Sequence, residues 1–553
     1  MKALGRGILA LIILSAGARA QTRERVGGGV SPIAEQHYRR GMTALEKRDL
    51  QAAIQAFRLA VRAAPKAATA HNALGWAYLE AGQVDRAVVE FRKAIALEPE
   101  FAPAHWNMGR ALERRKDLDG AISFYQSALR LQPDWPEVRC ALGIVLGHRG
   151  NLLGAKKEFE AALQSDPGFA EAHYRLGVTY FLLNEYGPAV SHLRSALDFK
   201  REQADTHHYL ALAYDRQGRF EEALNEFEAA VKLNPQDAEV LVTMGLALHR
   251  QNYLADAAEA FRKAIQLQPA RAESHNNLGL VLLQQGDGEG ALAEFQAAVK
   301  LNPQYFPARN NLGLVLLQQA RWEEAIAEYR ALIELDPRNA EAHHNLGTAL
   351  KQKQDFDQAI LALTRALELG PDLPEPYYTL AVIYWQQGKV DEAATQLRSA
   401  IRIRPDYQRA HYILGAVLRQ KGELHQAIEE LETAIRLDPK DAGSHQALSM
   451  ALRQKGDVAR AAEEARMAEA LNKELANIQA ATLATNTGAA RLRKGDVAGA
   501  MEQIRAALQL APNYAPAHYQ VGLALRQQGQ HAQAAAAFEK ARQLDPRLRP
   551  PRD

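Results

Sequence analysis

Residues 276–285 read NNLGLVLLQQ, and residues 310–319 read NNLGLVLLQQ again, 34 positions later. Identical stretches at this interval indicate that the chain is built from repeated units. Each copy has apolar residues three and four positions apart, which is the spacing of one face of an amphipathic helix. The stretch therefore predicts a helix that recurs in every unit.

The repeated unit is 34 residues long, and fifteen copies follow one another along residues 34–548. Counted from the first residue of a copy, the eighth place is small, as at Gly279, and the twentieth is alanine, as at Ala291. A large apolar residue stands four places later, as at Phe295, and most copies close with proline, as at Pro303. Small residues let two helices approach closely, and proline ends the second helix. Each copy is therefore expected to be a pair of packed helices.

Period, small residues, aromatic residue and closing proline together resemble the tetratricopeptide repeat family. The resemblance implies an all-α fold, a right-handed α-solenoid of about fifteen helix-turn-helix units whose first helices line a concave surface. It also implies protein binding rather than catalysis. The expected segments are thirteen units over 34–475, a spacer or helix extension at 476–480, two units over 481–548 and a tail at 549–553. The extension is expected because the thirteenth unit lacks its closing proline and the next begins five residues late.

The first twenty residues differ from the rest and have the layout of a secretory signal peptide. Lys2 and Arg6 precede a short apolar run, and Ala-Arg-Ala precedes Gln21. The run is far shorter than the roughly 20 residues that a membrane span requires. Residues 21–33, with three consecutive glycines, are expected to form a flexible leader. These features predict an exported protein, periplasmic or secreted, with no integral membrane segment after signal cleavage.

The composition and motifs indicate neither nucleic-acid binding nor catalysis. Lysine and arginine number 67 against 65 aspartates and glutamates, interleaved along the chain, so no basic surface predicts nucleic-acid binding. No catalytic or phosphate-binding motif occurs, and Cys140, the single cysteine, lies in an apolar helical stretch. We therefore expect no catalytic residue, no cofactor and no metal ion.

Histidine recurs at the fourth place of ten units, which raises the alternative of a metal-binding array. The ten are His37, His71, His105, His173, His207, His275, His343, His411, His445 and His518. Zinc ligands must converge to about 2.1 Å from one ion. Equivalent residues on stacked helices lie roughly 8–10 Å apart. We therefore expect these histidines to pack between helices rather than to bind metal.

The family resemblance places the fifth, sixth, ninth and twelfth residues of each unit on the concave face. In the two copied units and the units after them, the candidate partner-binding residues are Asn276, Asn277, Leu280, Leu283, Asn310, Asn311, Leu314, Leu317, Val382 and Trp385. Asparagine can bond a peptide backbone through both its donor and its acceptor. The pattern partly resembles the asparagine ladder of the repeat region of the O-linked N-acetylglucosamine transferases, without their catalytic domain. The alternative is that these asparagines are neutral polar filler.

The hypothesis from the sequence is an exported, non-enzymatic scaffold that binds a protein or an extended peptide in its groove. If the copied units do not bind the partner, Tyr174 and Phe181 are the alternative candidate site. One alternative is a structural subunit of an envelope assembly for secretion or polysaccharide export. Another is the recognition subunit of a separate enzyme.

Overall fold

The computed structural model describes residues 32–199 and 201–550. Within these ranges it contains 29 α-helices and no β-strand. The predicted signal peptide and nearly all of the leader lie outside the described residues. Contacts divide the chain into two compact bodies, an N-terminal body that ends at Pro235 and a C-terminal body that begins at Gln236.

Every helix belongs to one of the two bodies. In the N-terminal body they are α1 (Pro32–Glu46), α2 (Leu50–Ala63), α3 (Ala68–Glu80), α4 (Val84–Leu97), α5 (Ala102–Arg114), α6 (Leu118–Leu131), α7 (Pro136–His148), α8 (Leu152–Ser165), α9 (Ala170–Leu182), α10 (Tyr186–Asp198), α11 (Ala204–Arg216) and α12 (Phe220–Leu233). In the C-terminal body they are α13 (Ala238–Arg250), α14 (Leu254–Leu267), α15 (Ala272–Gln284), α16 (Gly288–Leu301), α17 (Phe306–Gln318), α18 (Trp322–Leu335), α19 (Ala340–Gln352), α20 (Phe356–Leu369), α21 (Pro374–Gln386), α22 (Val390–Ile403), α23 (Gln408–Lys421), α24 (Leu424–Leu437), α25 (Ala442–Lys455), α26 (Val458–Arg493), α27 (Val497–Leu510), α28 (Ala515–Gln527) and α29 (His531–Leu544).

The helices follow the sequence repeat closely. First helices such as α15 begin at the first residue of a repeat, and second helices such as α16 begin at the seventeenth. The two helices of a repeat pack against each other, and within each body the second packs against the first helix of the next repeat. The prediction of an all-α solenoid of helix-turn-helix units is confirmed.

The seam inside each repeat explains the small eighth residue. A Cβ atom added to Gly279 would lie 2.6 Å from the ring of Phe295, which is fully buried. At the equivalent place in the next repeat, a Cβ on Gly313 would lie 2.6 Å from the ring of Tyr329. Glycine at these two places therefore permits the close approach of the two helices. The turn between them needs a left-handed residue, which Gly286 supplies with a φ of 79°.

One helix departs from the alternation of helix and turn. Helix α26 continues for 36 residues and joins the second helix of repeat 13 to the first helix of repeat 14. It therefore spans residues 476–480 without a turn. No residue between Ala468 and Ala481 is buried, so this part of the helix is held mainly by its own backbone hydrogen bonds.

None of the helices in the described part of the chain is both long enough and apolar enough to cross a membrane.

Candidate peptide-binding groove

The predicted groove residues of repeats 8 and 9 lie on the first helices α15 and α17. Leu280 and Leu283 on α15 and Leu317 on α17 are half-buried, and Leu314 is 39% exposed. The buried leucines of the same helices, such as Leu278, belong to the seams instead. The copied stretches therefore place apolar side chains at the surface beside those that form the core.

The asparagines of these helices bond to one another across the repeats. Asn311 Nδ2 donates to Asn276 Oδ1 at 2.9 Å, and Asn345 Nδ2 on α19 donates to Asn310 Oδ1 at 3.0 Å. Asn276 is buried, whereas Asn277, like the other asparagines named here, is half-buried. Each bridge joins the fifth place of one repeat to the sixth place of the next. One polar atom of each bridging amide thus holds neighbouring first helices together.

The same bridge occurs in the N-terminal body, where Asn107 Nδ2 donates to Asn72 Oδ1 at 3.0 Å. Sequence reasoning treated the asparagines as single contacts to a ligand and missed their pairing. The signal was present, because each donor follows its acceptor by 35 residues.

Val382 and Trp385 lie on α21, two repeats after α17, and both are half-buried. Trp385 Nε1 donates to Gln420 Oε1 on α23 at 2.8 Å. The indole is thus held by the next repeat. The structure places both residues on the first helix of repeat 11, outside the seam core.

The groove positions of α19 carry two ionisable groups whose charge is disfavoured. Burial lowers the pKa of His344, with smaller effects from Glu375 and Lys351. Burial also lowers the pKa of Lys351. The groove positions of α15 and α17 are uncharged. This stretch therefore presents mainly apolar and neutral polar groups to a ligand.

The alternative site around Tyr174 is a different kind of environment. Tyr174 is 5% exposed, and its ring lies 3.7 Å from the guanidinium carbon of Arg201. Phe181 is half-buried and packs at 5.9 Å, edge on, against Tyr209. Tyr174 is therefore part of the interior, whereas Phe181 and Tyr209 have partly exposed rings.

The fourth-place histidines contact protein atoms, and most lie near the carbonyl oxygen of a preceding proline. His105 Nε2, for example, lies 2.8 Å from Pro99 O, and His275 Nε2 lies 3.1 Å from Pro269 O. Within the described residues, no three side chains of ligand type come together in a way that could hold a metal ion. Burial raises the pKa of the Cys140 thiol to about 12. That thiol is therefore uncharged at neutral pH.

Family models match most of the chain. A tetratricopeptide repeat model matches residues 38–96, 310–374, 378–442 and 417–476, and a second one matches 515–548. A model described as the C-terminal domain of cilia and flagella-associated protein 70 matches residues 103–310. The curated proteins contain no match to the chain.

Several solved structures are similar to parts or most of this chain. YrrB, described as a TPR protein with an unusual peptide-binding site, is 23% identical with a TM-score of 0.31, over 33% of this chain and 95% of that one. PilF of Pseudomonas aeruginosa is 25% identical with a TM-score of 0.33, over 38% and 96%. The Cut9–Hcn1 hetero-tetramer of the APC/C is 18% identical with a TM-score of 0.35, over 93% and 99%.

Proposed function

Because the chain is a tetratricopeptide repeat protein, we propose that it is an exported, non-enzymatic scaffold that holds an extended peptide or a protein partner in a groove formed by the first helices of repeats 8 to 11. Members of this repeat family are typically interaction scaffolds without catalytic activity. The residues that bind the partner are those of α15, α17 and α21 named above.

The proposal of a binding groove rests on the row of partly exposed leucines beside the bridged asparagines. On α15, Asn276, Leu280 and Leu283 are four and seven residues apart, so they lie on one face of the helix. The identical spacing puts Asn310, Leu314 and Leu317 on one face of α17. Apolar residues grouped at a surface are typical of an interaction site.

The asparagine bridges give this surface a regular spacing. Each bridge uses one amide oxygen and one amide N–H, which leaves further donors and acceptors on the half-buried Asn310, Asn311 and Asn345 for a peptide backbone, whereas Asn276 is buried. An extended peptide lying across α15, α17 and α19 would place its apolar side chains on the leucines. Because the groove positions of α15 and α17 are uncharged, a neutral or apolar segment fits there better than a strongly charged one.

Export rests on residues 1–20, which precede the described part of the chain. The charged start, the short apolar run and the small residues before Gln21 support a secreted or periplasmic location. The partner would then be an envelope or extracellular protein.

The test replaces Leu283 and Leu317 with aspartate. The partner is first captured with a photoreactive residue at position 280 of the exported protein, whose first residue is expected to be Gln21. A peptide from that partner then serves as the binding probe. The double variant should weaken peptide binding by about tenfold or more, because buried apolar contacts dominate such interfaces. Helix content should stay unchanged, since neither leucine is in the seam core.

Leu361→Asp is the matched control. Leu361 lies on the second helix α20 and is 63% exposed, so the same chemical change there should leave peptide binding intact. If the double variant folds and binds the peptide normally, the groove lies elsewhere. If it unfolds, the leucines support the core and the proposed orientation is wrong.

A further inference from the structure

In four repeats the fourth-place histidine lies between two oxygen acceptors. His71 Nδ1 lies 2.6 Å from Glu90 Oε2, and its Nε2 lies 3.0 Å from Pro65 O. The glutamate belongs to the second helix of the same repeat, and the proline closes the preceding repeat. The corresponding pairs of distances are 2.7 and 3.1 Å at His275, 2.6 and 2.9 Å at His411, and 2.6 and 3.1 Å at His445. Each of these histidines therefore joins three segments of the chain.

Satisfying both acceptors requires a charged ring. A carboxylate and a carbonyl oxygen only accept hydrogen bonds, and neutral imidazole has one N–H to give. The neutral ring would leave a lone pair facing an oxygen, whereas imidazolium donates to both. The contacts themselves therefore favour the protonated form.

The electrostatics at two of these sites agree with the geometry. The hydrogen bond to Glu90 raises the pKa of His71, burial opposes it, and the Pro65 carbonyl adds to the rise. Lys93, which bonds the other oxygen of Glu90 at 2.9 Å, opposes the rise only weakly. Burial alone would raise the pKa of Glu90, but its bonds to His71 and Lys93 hold it below the usual value.

At repeat 12 the same balance applies. The hydrogen bond to Glu430 raises the pKa of His411, and burial opposes it. The Pro405 carbonyl adds to the rise, and Arg436 on α24 opposes it.

The chain contains a version of this contact that does not titrate. Arg139 Nε donates to Pro133 O at 3.1 Å, and its Nη1 donates to Glu158 at 3.1 Å. Arg309 makes the same two bonds, to Pro303 O and to Glu328. Arginine keeps its charge at every relevant pH. Repeats 4 and 9 thus have permanent cations where the four repeats have histidine.

Other histidines contact the carbonyl alone. At His105, His343 and His518 the place taken by glutamate in the four repeats holds Phe124, Ala362 and Ala537. One N–H suffices there, so the neutral ring serves equally well.

We propose that His71 and His411 with their glutamates are pH-dependent staples: protonated, they fasten each repeat to the one before it, and they release as the pH rises. The raised histidine pKa makes the stabilisation complete below the unfolded pKa of 6.5 and lost as the pH rises through the folded value. The lowered pKa of Glu90 sets the acid limit, because stabilisation there is lost as the pH falls through that folded value. These contacts are therefore most stabilising in mildly acidic solution.

The test compares thermal unfolding of the full chain at about pH 6 and about pH 8, on either side of the histidine range. The wild-type Tm should be about 2–4 °C lower at the higher pH. The variant with arginine at positions 71 and 411 should lose most of this difference. The control variant, with arginine at positions 105, 343 and 518, should keep it.

A side-chain measurement gives a second readout. The NMR titration midpoint of His411 should lie above 6.5 and fall in Glu430→Gln. A midpoint at or below 6.5 overturns the proposal, as does an arginine variant at positions 71 and 411 that retains the wild-type difference in Tm. If that variant does not fold, His411→Arg alone should abolish the pH dependence of hydrogen exchange in α23 and α24, and its persistence overturns the proposal equally.

Discussion

Two junctions lack the closing proline, one in each body, and they behave in opposite ways. After repeat 5, helix α10 ends at Asp198 and α11 starts at Ala204, so the chain turns as at any other junction. After repeat 13 there is no turn, because α26 continues through to Arg493. The missing proline therefore does not by itself decide whether the chain turns.

What holds the first junction is a buried arginine. Arg201 is 8% exposed and donates to Glu171 at 3.0 Å, to Asp205 at 3.0 Å and to the Thr206 hydroxyl at 2.8 Å. Its guanidinium also covers the ring of Tyr174. Burial alone would raise the pKa of Asp205, but the hydrogen bond and charge of Arg201 lower it.

The second junction differs in spacing and in composition. Its five extra residues put repeat 14 out of the 34-residue register, so the next first helix is not required to fold back at once. The stretch contains good helix formers and neither glycine nor proline from Val458 to Thr487. The comparison teaches that a junction turns when the spacing demands it and a side chain can hold the turn.

The largest effect is expected from proline in the continuous helix. Ile478→Pro removes a backbone hydrogen bond and clashes with the preceding turn, at a cost of about 3 kcal/mol or more. Residues 469–480, between the buried Ala468 and Ala481, include no buried residue to compensate. Limited proteolysis should therefore release repeats 14 and 15 as one fragment, ahead of all other cleavage.

Glu273→Pro is the control for this substitution. It places proline at the second residue of α15, where α5, α17 and α28 carry Pro103, Pro307 and Pro516. Stability should change by no more than about 0.5 kcal/mol. An Ile478→Pro protein that resists protease like the wild type would show that the two last repeats do not depend on α26.

A smaller effect is expected at the first junction. Arg201→Ala leaves Asp205 without its cation and leaves Glu171 with Arg175 alone; removing the partner of a buried charge costs about 3–5 kcal/mol. Asp205 is 45% exposed and Glu171 is 23% exposed, so water offsets part of this cost. We therefore expect the free energy of unfolding to fall by about 2 kcal/mol. Hydrogen exchange in α9 and α11 should quicken accordingly.

Two substitutions check that result. Arg194→Ala, on the exposed side of α10, should leave the exchange unchanged. Arg201→Lys should restore only part of the protection, because one ammonium cannot reach three acceptors in the planar geometry of a guanidinium. Unchanged exchange in Arg201→Ala would mean that the 34-residue spacing alone holds the turn.

The sequence predicted the repeat and its register because the period is carried by every unit. Small residues at Gly279 and Gly313 answer a steric requirement that is local to one helix pair, so a pattern can reveal it. The late start of repeat 14 predicted a spacer or a helix extension, and the structure has a continuous helix there. The sequence therefore predicts the structure wherever contacts between residues close along the chain determine it.

The contacts between repeats were harder to predict from the sequence. The role of Arg201 depends on three side chains that come together only after two repeats stack, and the arginine has no equivalent in other units. The asparagine bridges and the histidine–glutamate contacts leave a periodic signal, at 35 and 19 residues, but recognising it requires knowing which helix faces meet. The partner-binding residues remain a prediction, because a groove is defined by what binds it.

The smallest effect is expected within the bare part of α26. Ala476 is exposed, so Ala476→Gly removes no packing and costs only helix propensity, about 1 kcal/mol. In a segment held by its own hydrogen bonds, this cost should appear as local opening, with exchange at residues 469–480 about fivefold faster. Ala327→Gly, on the exposed face of α18, is the control: it should leave exchange at 469–480 as in the wild type. Slow exchange at 469–480 in the wild type, unmoved by Ala476→Gly, would mean that the bare surface is covered in solution. The cover would come either from the same chain or from a second copy. Hydrogen exchange measured at lower protein concentration would distinguish them, because contacts within one chain are unaffected by dilution, whereas a second copy dissociates.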